Sequence, residues 1–438
     1  MIDTADLVRK HAVPLDSERG VGSVLDLIGD VDVVLIGEAT HGTHEFYDAR
    51  AHITRALIAS RGFNIVAVEA DWPDAYRAAR WVRGHGHDAD AQDALGDFIR
   101  FPRWMWRNRV VVHFLEWLRD FNLRTPGQRD AALYGLDLYS LHRSIDAVLR
   151  YLERIDPAAA ERARDRYACF DVFGSDPQVY GHATTRGQEA PCEREVIAQL
   201  VELQRRAAEY ASRDGRMAAD EFFSATQNAR LITDAERYYR AMYMSGRESW
   251  NLRDRHMMST LEAIIDHMRR MTGSARAVVW AHNSHLGDAR ATEMGRQGEL
   301  NIGQLARETF GSRVLSIGFT THTGSVTAAS NWDDPATLMA VRPSLAGSYE
   351  RVFHETGIRA FLLDLRGAAG HVLRVPRLER AIGVVYRPAS ERQSHYFTAT
   401  LPEQFDLVIH YDETRALEPL ELWSRHEVDL PDTWPSGV

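Results

Sequence analysis

Cysteine is scarce in this chain of 438 residues, which contains only Cys169 and Cys192. Two cysteines are too few to hold together a chain of this length, so a disulfide scaffold is not expected. A low cysteine content also suits the reducing environment of the cytoplasm. The sequence therefore predicts a cytoplasmic protein whose fold does not depend on disulfide bonds.

Long apolar runs and an excess of positive charge are also missing. No apolar run approaches the roughly 18 residues of a membrane span, and the first residues, MIDTADLVRKHAVPL, lack the apolar stretch of a signal peptide. Acidic residues outnumber basic ones by 62 to 52, a net charge of −10, which disfavours binding to polyphosphates. We therefore expect neither a membrane nor a nucleic acid as a partner. The sequence does not determine the oligomeric state.

Several catalytic motifs are absent as well. The sequence contains no G-x-S-x-G, the turn that exposes the nucleophile of many serine hydrolases, so we expect no acyl-enzyme. It contains no phosphate loop, no dinucleotide-binding G-x-G-x-x-G and no H-E-x-x-H. The chemistry must therefore be inferred from residues that lie far apart in the chain.

What is present is the composition of a globular protein, with 45% hydrophobic and 26% charged residues. Seven short apolar runs are continuous rather than alternating, which is typical of strands covered on both faces in a parallel sheet. Helical patterns between the early runs indicate βαβ units. These predicted strands are Val33–Ile36, Ile65–Val68, Ala132–Tyr134, Ala277–Trp280, Val314–Ile317, Ala360–Leu363 and Leu407–Ile409.

The middle of the chain has almost only helical periodicity, with amphipathic stretches at Glu193–Arg213, Glu221–Tyr243 and Asn251–Arg270. We predict an α/β fold with a central, mainly parallel sheet flanked by helices and a long helical insertion. Residues 1–140 and 273–425 would form the catalytic core. Residues 141–272 would form one wall of the active-site cleft, and residues 426–438 a tail.

Acidic and imidazole side chains follow four of the predicted strands. In open parallel sheets, ligands bind beyond the carboxyl ends of the strands, so these side chains should meet at one edge. Buried carboxylates and imidazoles are costly unless they are paired, which makes such a cluster a candidate site. The residues, in strand order, are Glu38 and His41, then Glu69, then Asp137, then His282, Asn283 and His285.

Two chemistries fit this cluster. In the first, Glu38 and Glu69 fix one tautomer of His41, which activates a water as general base while His285 and an arginine polarise a carbonyl. In the second, a divalent metal such as zinc is held by Glu38, His41, Glu69 and His285. A binding protein for an apolar small molecule is a third alternative, although binding alone rarely needs several titratable groups in one place.

The chain resembles the erythromycin esterase family. The resemblance rests on motifs spread from residue 37 to residue 420, of which the first and the sixth are the most specific together. In chain order they are GEATHGTHEFYDAR from Gly37, VEADW from Val68, FPRWMWRN from Phe101, GLDLYSL from Gly135, NLRDRHM from Asn251, WAHNSH from Trp280 and FDLVIHYDETRALEPL from Phe405.

The resemblance implies hydrolysis of a carboxylic ester, in the best-known members the lactone ring of macrolide antibiotics, by water and without a cofactor. It also implies a place for this chain in antibiotic resistance, with a small ester or lactone as its partner. The family's proposed base falls on His41, and its other functional residues fall on Glu38, Arg50, Glu69, His282 and His285.

The expected roles follow from this resemblance and from the strand-end cluster. His285, with Arg50, would stabilise the tetrahedral oxyanion, and His282 would support the loop or the leaving alkoxide. Asn283 and Asp137 would support the site. Other residues have an ordinary structural interpretation beside a functional one: Arg253 and Asp254 form a salt bridge or enter the pocket, and Trp104 and Trp106 pack in the core or line an apolar cleft.

Overall fold

The structure is a computed structural model that describes residues 4–15, 19–124, 131–174, 176–211 and 215–421. The predicted tail, residues 426–438, and the last four residues of the predicted core lie outside the described residues. The model contains eleven strands in these ranges. They are β1 Val13–Pro14, β2 Val33–Ile36, β3 Ile65–Asp71, β4 Ala132–Asp137, β5 Ala277–Trp280, β6 Val314–Ala328, β7 Thr337–Val341, β8 Ala360–Asp364, β9 Arg377–Arg380, β10 Tyr396–Ala399 and β11 Leu407–Thr414.

Nine of the described strands form one sheet in the order β1-β8-β11-β6-β2-β5-β3-β4, with β7 paired to β6. All pairings from β11 across to β4 are parallel. Antiparallel pairings join β1 to β8, β8 to β11 and β7 to β6. Strands β9 and β10 form a separate antiparallel pair. The predicted mixed α/β fold with a mainly parallel sheet is therefore confirmed.

Burial on both faces explains the continuous apolar runs. In β2, Val33 and Leu35 belong to one apolar core, whereas Val34 and Ile36 belong to another on the opposite face. Successive side chains of a strand point to opposite faces, so an apolar run fits only a sheet that is covered twice. Every residue of β2, β3, β4 and β5 is buried.

Helices cover both faces of the sheet. Before β5 the α-helices are Thr4–His11, Arg19–Ile28, His44–Arg61, Trp72–Val82, Ala91–Ala94, Arg109–Arg124, Leu141–Ile155, Pro157–Tyr167, Pro177–Thr185, Glu193–Arg205, Ala207–Ala211, Gly215–Met242 and Gly246–Thr272. After β5 they are Asn283–Leu286, Glu293–Arg296, Ile302–Phe310, Tyr349–His354, Ala368–Val372, Glu391–Ser394 and Leu401–Gln404. Short 3₁₀ segments are Arg103–Met105, Ala168–Phe173, Ala289–Ala291, Gly311–Arg313 and Pro388–Ser390.

The predicted elements differ from the structure in extent. The described residues between 141 and 272 contain helices and no strand, but the division into a core and an insertion stays a prediction. The prediction of one continuous helical stretch over residues 193–213 is wrong, because two helices are found there and Arg206 separates them. Strand β6 runs for 15 residues, since its second half pairs with β7 beyond the parallel part of the sheet.

The two cysteines are joined, contrary to the sequence prediction. A disulfide links Cys169 to Cys192, whose Cα atoms are 5.9 Å apart. Packing brings the 3₁₀ segment Ala168–Phe173 beside the start of helix Glu193–Arg205, within the Cα separation that a disulfide requires. The cytoplasmic location stays a prediction. None of the described helices has both the length and the apolar character that crossing a bilayer requires.

Candidate active site

The predicted side chains meet because their strands are neighbours. The sheet order β2-β5-β3-β4 places the loops after these strands side by side at the carboxyl edge. Glycine allows the closest approach: a Cβ atom on Gly37 would lie 2.2 Å from Oδ1 of Asn283. The Asn283 backbone N–H donates to the Glu38 carbonyl at 2.8 Å and its Nδ2 donates to the Phe319 carbonyl at 2.8 Å. Asn283 therefore ties the loops after β2 and β5 to strand β6.

His41 lies between two carboxylates. Its Nδ1 is 2.9 Å from Oε1 of Glu38, and its Nε2 is 4.0 Å from Oε1 of Glu69. In the tautomer with the proton on Nδ1, His41 donates to Glu38 and Nε2 is an acceptor on the side of Glu69. Because a carboxylate on one ring nitrogen fixes the tautomer that leaves the other nitrogen as an acceptor, this arrangement suits a general base.

Arg50 pairs with Glu38 and does not line the cavity. Its Nη2 is 2.8 Å from Oε2 of Glu38, and its guanidinium lies over the rings of Tyr47 and Trp280, 4.2 and 5.2 Å from their centroids. The side chain is completely buried and does not line the cavity beside His41. The structure thus corrects the oxyanion role expected for Arg50, because it lies on the far side of Glu38.

Arg253 lines the cavity, as does Arg100, which pairs with Asp71. Its Nη2 donates to Oε1 of Glu69 and to Oδ2 of Asp137, both at 2.7 Å, and its Nε donates to Oδ1 of Asp137 at 3.0 Å. Its Nη1 donates to Nε2 of His285 at 3.0 Å. Of the two interpretations of Arg253, both are therefore correct: it forms a salt bridge, and that salt bridge lies in the pocket.

His285 is held by side chains from one turn of a helix. This helix does not belong to the cluster of residues that follow the strands. Helix Gly246–Thr272 supplies Trp250, Arg253 and Asp254. The Trp250 ring stacks on His285 with centroids 4.5 Å apart, and both Asp254 carboxylate oxygens are 3.0 Å from Nδ1. These residues are three and four positions apart, the spacing that places side chains on one helix face. That spacing was the available signal for Trp250, which sequence reasoning did not place in the site.

His282 has a different environment from His285. It caps helix Asn283–Leu286, where its Nδ1 accepts from the Ser284 backbone N–H at 3.2 Å and lies 2.9 Å from the Ser284 hydroxyl. Its ring lies 4.8 Å from the His41 ring. The His282 backbone N–H donates to Oε2 of Glu69 at 2.8 Å. Through its backbone, His282 therefore links the loop after β5 to the end of β3.

Burial and neighbouring charges shift the pKa values of these groups in opposite directions. Burial and, to a smaller extent, the nearby His41 lower the pKa of His282 to about 3. Burial also opposes the charge on His285, but Asp254 and Glu69 outweigh it and raise the pKa of His285. For Glu69, burial raises the pKa, but His285, His41 and Arg253 outweigh burial and lower it. The site thus contains a neutral imidazole, a readily protonated imidazole and an ionised carboxylate.

A cavity of about 340 Å³ opens beside these residues. Its polar lining includes His41, Glu69, Asp137, His282 and His285, together with Arg253, and its apolar lining includes Phe98, Phe101, Met105, Trp106 and Trp332. Trp106 therefore lines the cleft as one of its interpretations proposed, whereas Trp104 is buried and borders a separate pocket. A larger cleft of about 680 Å³ contains none of the predicted catalytic residues, so chemistry rather than size identifies the site.

The carboxylates of the site are already paired with arginines. Glu38 contacts Arg50, and Glu69 contacts Arg253 and the His282 backbone. Within the described ranges, no three histidine, cysteine, aspartate or glutamate side chains are arranged to hold a metal ion. A divalent ion would have to displace Arg253 from Glu69, so the residues present do not fit the metal alternative. The expected independence of cofactors stays a prediction.

Comparison with known proteins identifies the family. The family model for erythromycin esterase matches residues 58–414. The chain belongs to the erythromycin esterase family. Among curated proteins, erythromycin esterase type II of Escherichia coli is 20% identical over 410 residues, which cover 90% of this chain and 92% of that protein. Erythromycin esterase type I of Escherichia coli is 21% identical over 355 residues, which cover 78% of this chain and 82% of that protein.

Solved structures share the fold of this erythromycin esterase family member. A protein from Bacillus cereus superposes with a TM-score of 0.78 at 18% identity, covering 95% of this chain and 98% of that one. A mutant erythromycin esterase in its open conformation superposes with a TM-score of 0.63 at 17% identity, covering 90% and 93%. The resemblance seen in the sequence is therefore confirmed at the level of family and fold.

Proposed function

We propose that this protein hydrolyses a carboxylic ester by means of a water molecule that His41 activates, without an acyl-enzyme. Membership of the erythromycin esterase family supports a hydrolase. The observation that carries the proposal is the position of His41, with Nδ1 2.9 Å from Glu38 and Nε2 facing Glu69 at 4.0 Å beside a cavity. A base held in one tautomer next to space for a substrate is what water activation requires.

In the proposed reaction, Nε2 of His41 takes a proton from water while the water oxygen attacks the carbonyl carbon. Glu38 and Glu69 stabilise the imidazolium that forms. The Arg253 guanidinium stabilises the oxyanion of the tetrahedral intermediate, and His285 adds to this in its protonated form, in which Nε2 is a donor. When that intermediate collapses, the bond to the alkoxide oxygen breaks and the alkoxide takes the proton from His41. The products are a carboxylic acid and an alcohol.

The size of the cavity bears on the substrate. A volume of about 340 Å³ lies near the lower end of the roughly 300–1,000 Å³ of ligand pockets. An ester of modest size fits this volume, whereas a macrolactone requires the mouth to widen. The names of the curated relatives make a macrolactone the first substrate to test, and antibiotic resistance the first biological role.

The test is incubation of purified protein with a panel of macrolides and simple esters, followed by mass spectrometry for the gain of about 18 Da when water adds to a lactone. His41→Asn should lower turnover by at least about 100-fold, because positioned proton transfer contributes that much or more. The matched control is His52→Asn, an exposed histidine that should leave turnover unchanged. Near-wild-type turnover in His41→Asn would remove His41 from the mechanism.

Two further readouts test the alternatives. Stoichiometric metal in the purified protein, together with activity that a chelator abolishes, would support a metal-dependent hydrolase. Binding of an apolar small molecule with no product would support a binding protein. A panel in which macrolides are intact but simple esters are cleaved would retain the esterase and reject the resistance role.

A further inference from the structure

Two aromatic side chains from distant parts of the chain meet at the cavity. Phe101 and Trp332 both line it, and their ring centroids are 5.0 Å apart. Trp332 is 56% exposed and is the only tryptophan among the strongly exposed apolar side chains of the described ranges. A large apolar side chain that is left half in water beside a cavity indicates a surface that a ligand covers.

A long hairpin carries Trp332 to this position. Strand β6 pairs with β2 only over residues 314–317, and it then runs on to pair with β7 over residues 324–328. Trp332 lies in the connection that follows. There Asn331 donates to Asp334 at 2.9 Å and accepts from Arg387 at 3.3 Å. The hairpin thus projects past the edge where the catalytic loops end, and hydrogen bonds hold its connection in place.

The backbone of this connection is strained. Asp333, directly after Trp332, has φ 70° and is the only described residue other than glycine with a positive φ. Residues with a Cβ atom rarely adopt this conformation, and it persists only where the surroundings impose it. The strained residue directly follows an exposed tryptophan at the cavity, and strained backbone conformations cluster at functional sites.

The lining of the cavity divides into two groups by their contacts. The polar group is linked by the ion pairs that join Glu69, Arg253 and His285. The aromatic group is linked by ring contacts of Phe101 with Trp332 and of Phe98 with Trp106. An ester has the same division, because its carbonyl is polar and its substituents are largely apolar.

We propose that Trp332 and Phe101 bind the apolar substituent of the ester and thereby set the preference for substrate size. This inference rests on the proposed esterase function. The polar group would hold the carbonyl, while the two rings would cover the hydrocarbon that extends from it. The substrate class is therefore an ester with a bulky apolar substituent, and Trp332 is a specificity-determining residue that takes no part in proton transfer.

The test is a series of p-nitrophenyl esters from acetate to octanoate. In the wild type kcat/KM should rise with acyl chain length, because each buried methylene adds favourable transfer free energy. In Trp332→Ala the rise should be lost, with about a tenfold decrease for octanoate and little change for acetate. Trp332→Phe should restore most of the rise, since it keeps an aromatic ring.

The control for this series is Leu338→Ala. Leu338 is 59% exposed on β7 of the same hairpin and does not line the cavity, so this variant should match the wild type. An equal loss for acetate and octanoate in Trp332→Ala, or the same loss in Leu338→Ala, would overturn the inference while the esterase function stands.

A binding measurement separates the two proposals. The His41→Asn variant should bind p-nitrophenyl octanoate and erythromycin without turnover. Either ligand should reduce the quenching of its tryptophan fluorescence by acrylamide. This reduction should be smaller in the His41→Asn, Trp332→Phe double variant, because the double variant lacks Trp332. If the wild type hydrolyses no ester but this protection is seen, the esterase function fails and the binding role of Trp332 stands. If neither ligand gives protection that depends on Trp332, the inference fails.

Discussion

The candidate site is assembled from two regions that contribute different kinds of groups. The loops at the carboxyl edge of the sheet supply the groups that can move a proton, His41 and Glu38 above all. Helix Gly246–Thr272 supplies Trp250, Arg253 and Asp254, which contact His285 and balance the carboxylates. The sheet edge therefore brings the candidate acid and base groups together, and the helix adds charged partners for Glu69, Asp137 and His285.

The contrast between His282 and His285 demonstrates this division. They are three residues apart on the same loop and both are buried. The pKa of His282 is lowered to about 3 by burial and by His41. The pKa of His285 is raised, because Asp254 and Glu69 outweigh its burial. Asp254 on the helix and Glu69 on β3 both pair with His285, so these two carboxylates account for the difference between the two buried imidazoles.

The largest effect should come from Arg253→Met, which removes the positive charge that pairs with Glu69 and Asp137. Glu69 and Asp137 would then be buried without their common partner, and breaking a buried ion pair in this way costs about 3–5 kcal/mol. We expect that decrease in the free energy of unfolding in urea, together with loss of ester turnover.

The matched control is Arg269→Met on the same helix. Arg269 pairs with Asp266 at 3.3 Å, and both side chains are more than half exposed, so the expected cost is about 0–1 kcal/mol. Equal destabilisation by the two substitutions would show that the position of Arg253 between the two carboxylates has no special energetic role.

A smaller effect is expected for Asp254→Asn, which keeps the shape of the partner of His285 but removes its charge. Turnover should fall by about 10–100-fold, the usual cost of losing an outer hydrogen-bond partner of a functional histidine. The pKa of His285 should fall, so any limb of the pH–rate profile that reports His285 should move to lower pH. Asp254→Glu should restore part of both properties.

The exposed Asp266→Asn on the same helix serves as the control for Asp254. A merely structural role for Asp254 would lower the amount of folded protein without moving the pH profile. An unchanged profile in a fully folded Asp254→Asn variant would therefore contradict the positioning role.

The smallest effect concerns the contribution of His282 to the free energy of unfolding of the protein. Because its folded pKa is about 3 and its unfolded pKa is about 6.5, the unfolded chain takes up the proton first as the pH falls. His282 thus contributes stability that is complete above pH 6.5 and is lost between about pH 6.5 and pH 3. Between pH 7.5 and pH 5 this loss should be about 1–2 kcal/mol, and His282→Asn should remove it.

His52 provides a control of opposite sign. Its hydrogen bond to Asp48 raises its pKa, so its stabilising contribution is present below its unfolded pKa and is lost as the pH rises. The free energy of unfolding of His52→Asn should therefore decrease more steeply with falling pH than that of the wild type. A His282→Asn variant with the same acid dependence as the wild type would contradict a neutral buried His282.

The sequence predicted those parts of the fold and of the candidate site that follow from local pattern. Strands β2 and β5 have the predicted bounds, because four consecutive apolar residues need a sheet covered on both faces. Glu38, His41, Glu69 and His285 meet, because parallel strands bring their carboxyl ends to one edge. Arg50 was placed near Glu38 correctly but on the wrong side of it for an oxyanion, since burial depth is not encoded in spacing.

Other features could not be inferred from the sequence, because they arise when distant segments pack. The length of β6 depends on its pairing with β7, and Trp332 belongs to the cavity only because that hairpin projects over it. Trp104 and Trp106 are two residues apart and equally apolar, yet only Trp106 lines the cavity. The disulfide between Cys169 and Cys192 likewise depends on two helical segments meeting.

The sequence by itself determined the family and the parallel sheet, and it predicted the candidate acid and base groups, because these follow from side-chain chemistry and from the order of strands and loops. Only the tertiary structure decided which arginines line the cavity, which of two neighbouring histidines has a raised pKa and which aromatic rings lie beside them. Those properties depend on distances of a few ångströms between residues that are up to a few hundred positions apart, and such distances are fixed only when the whole sheet and its helices have packed.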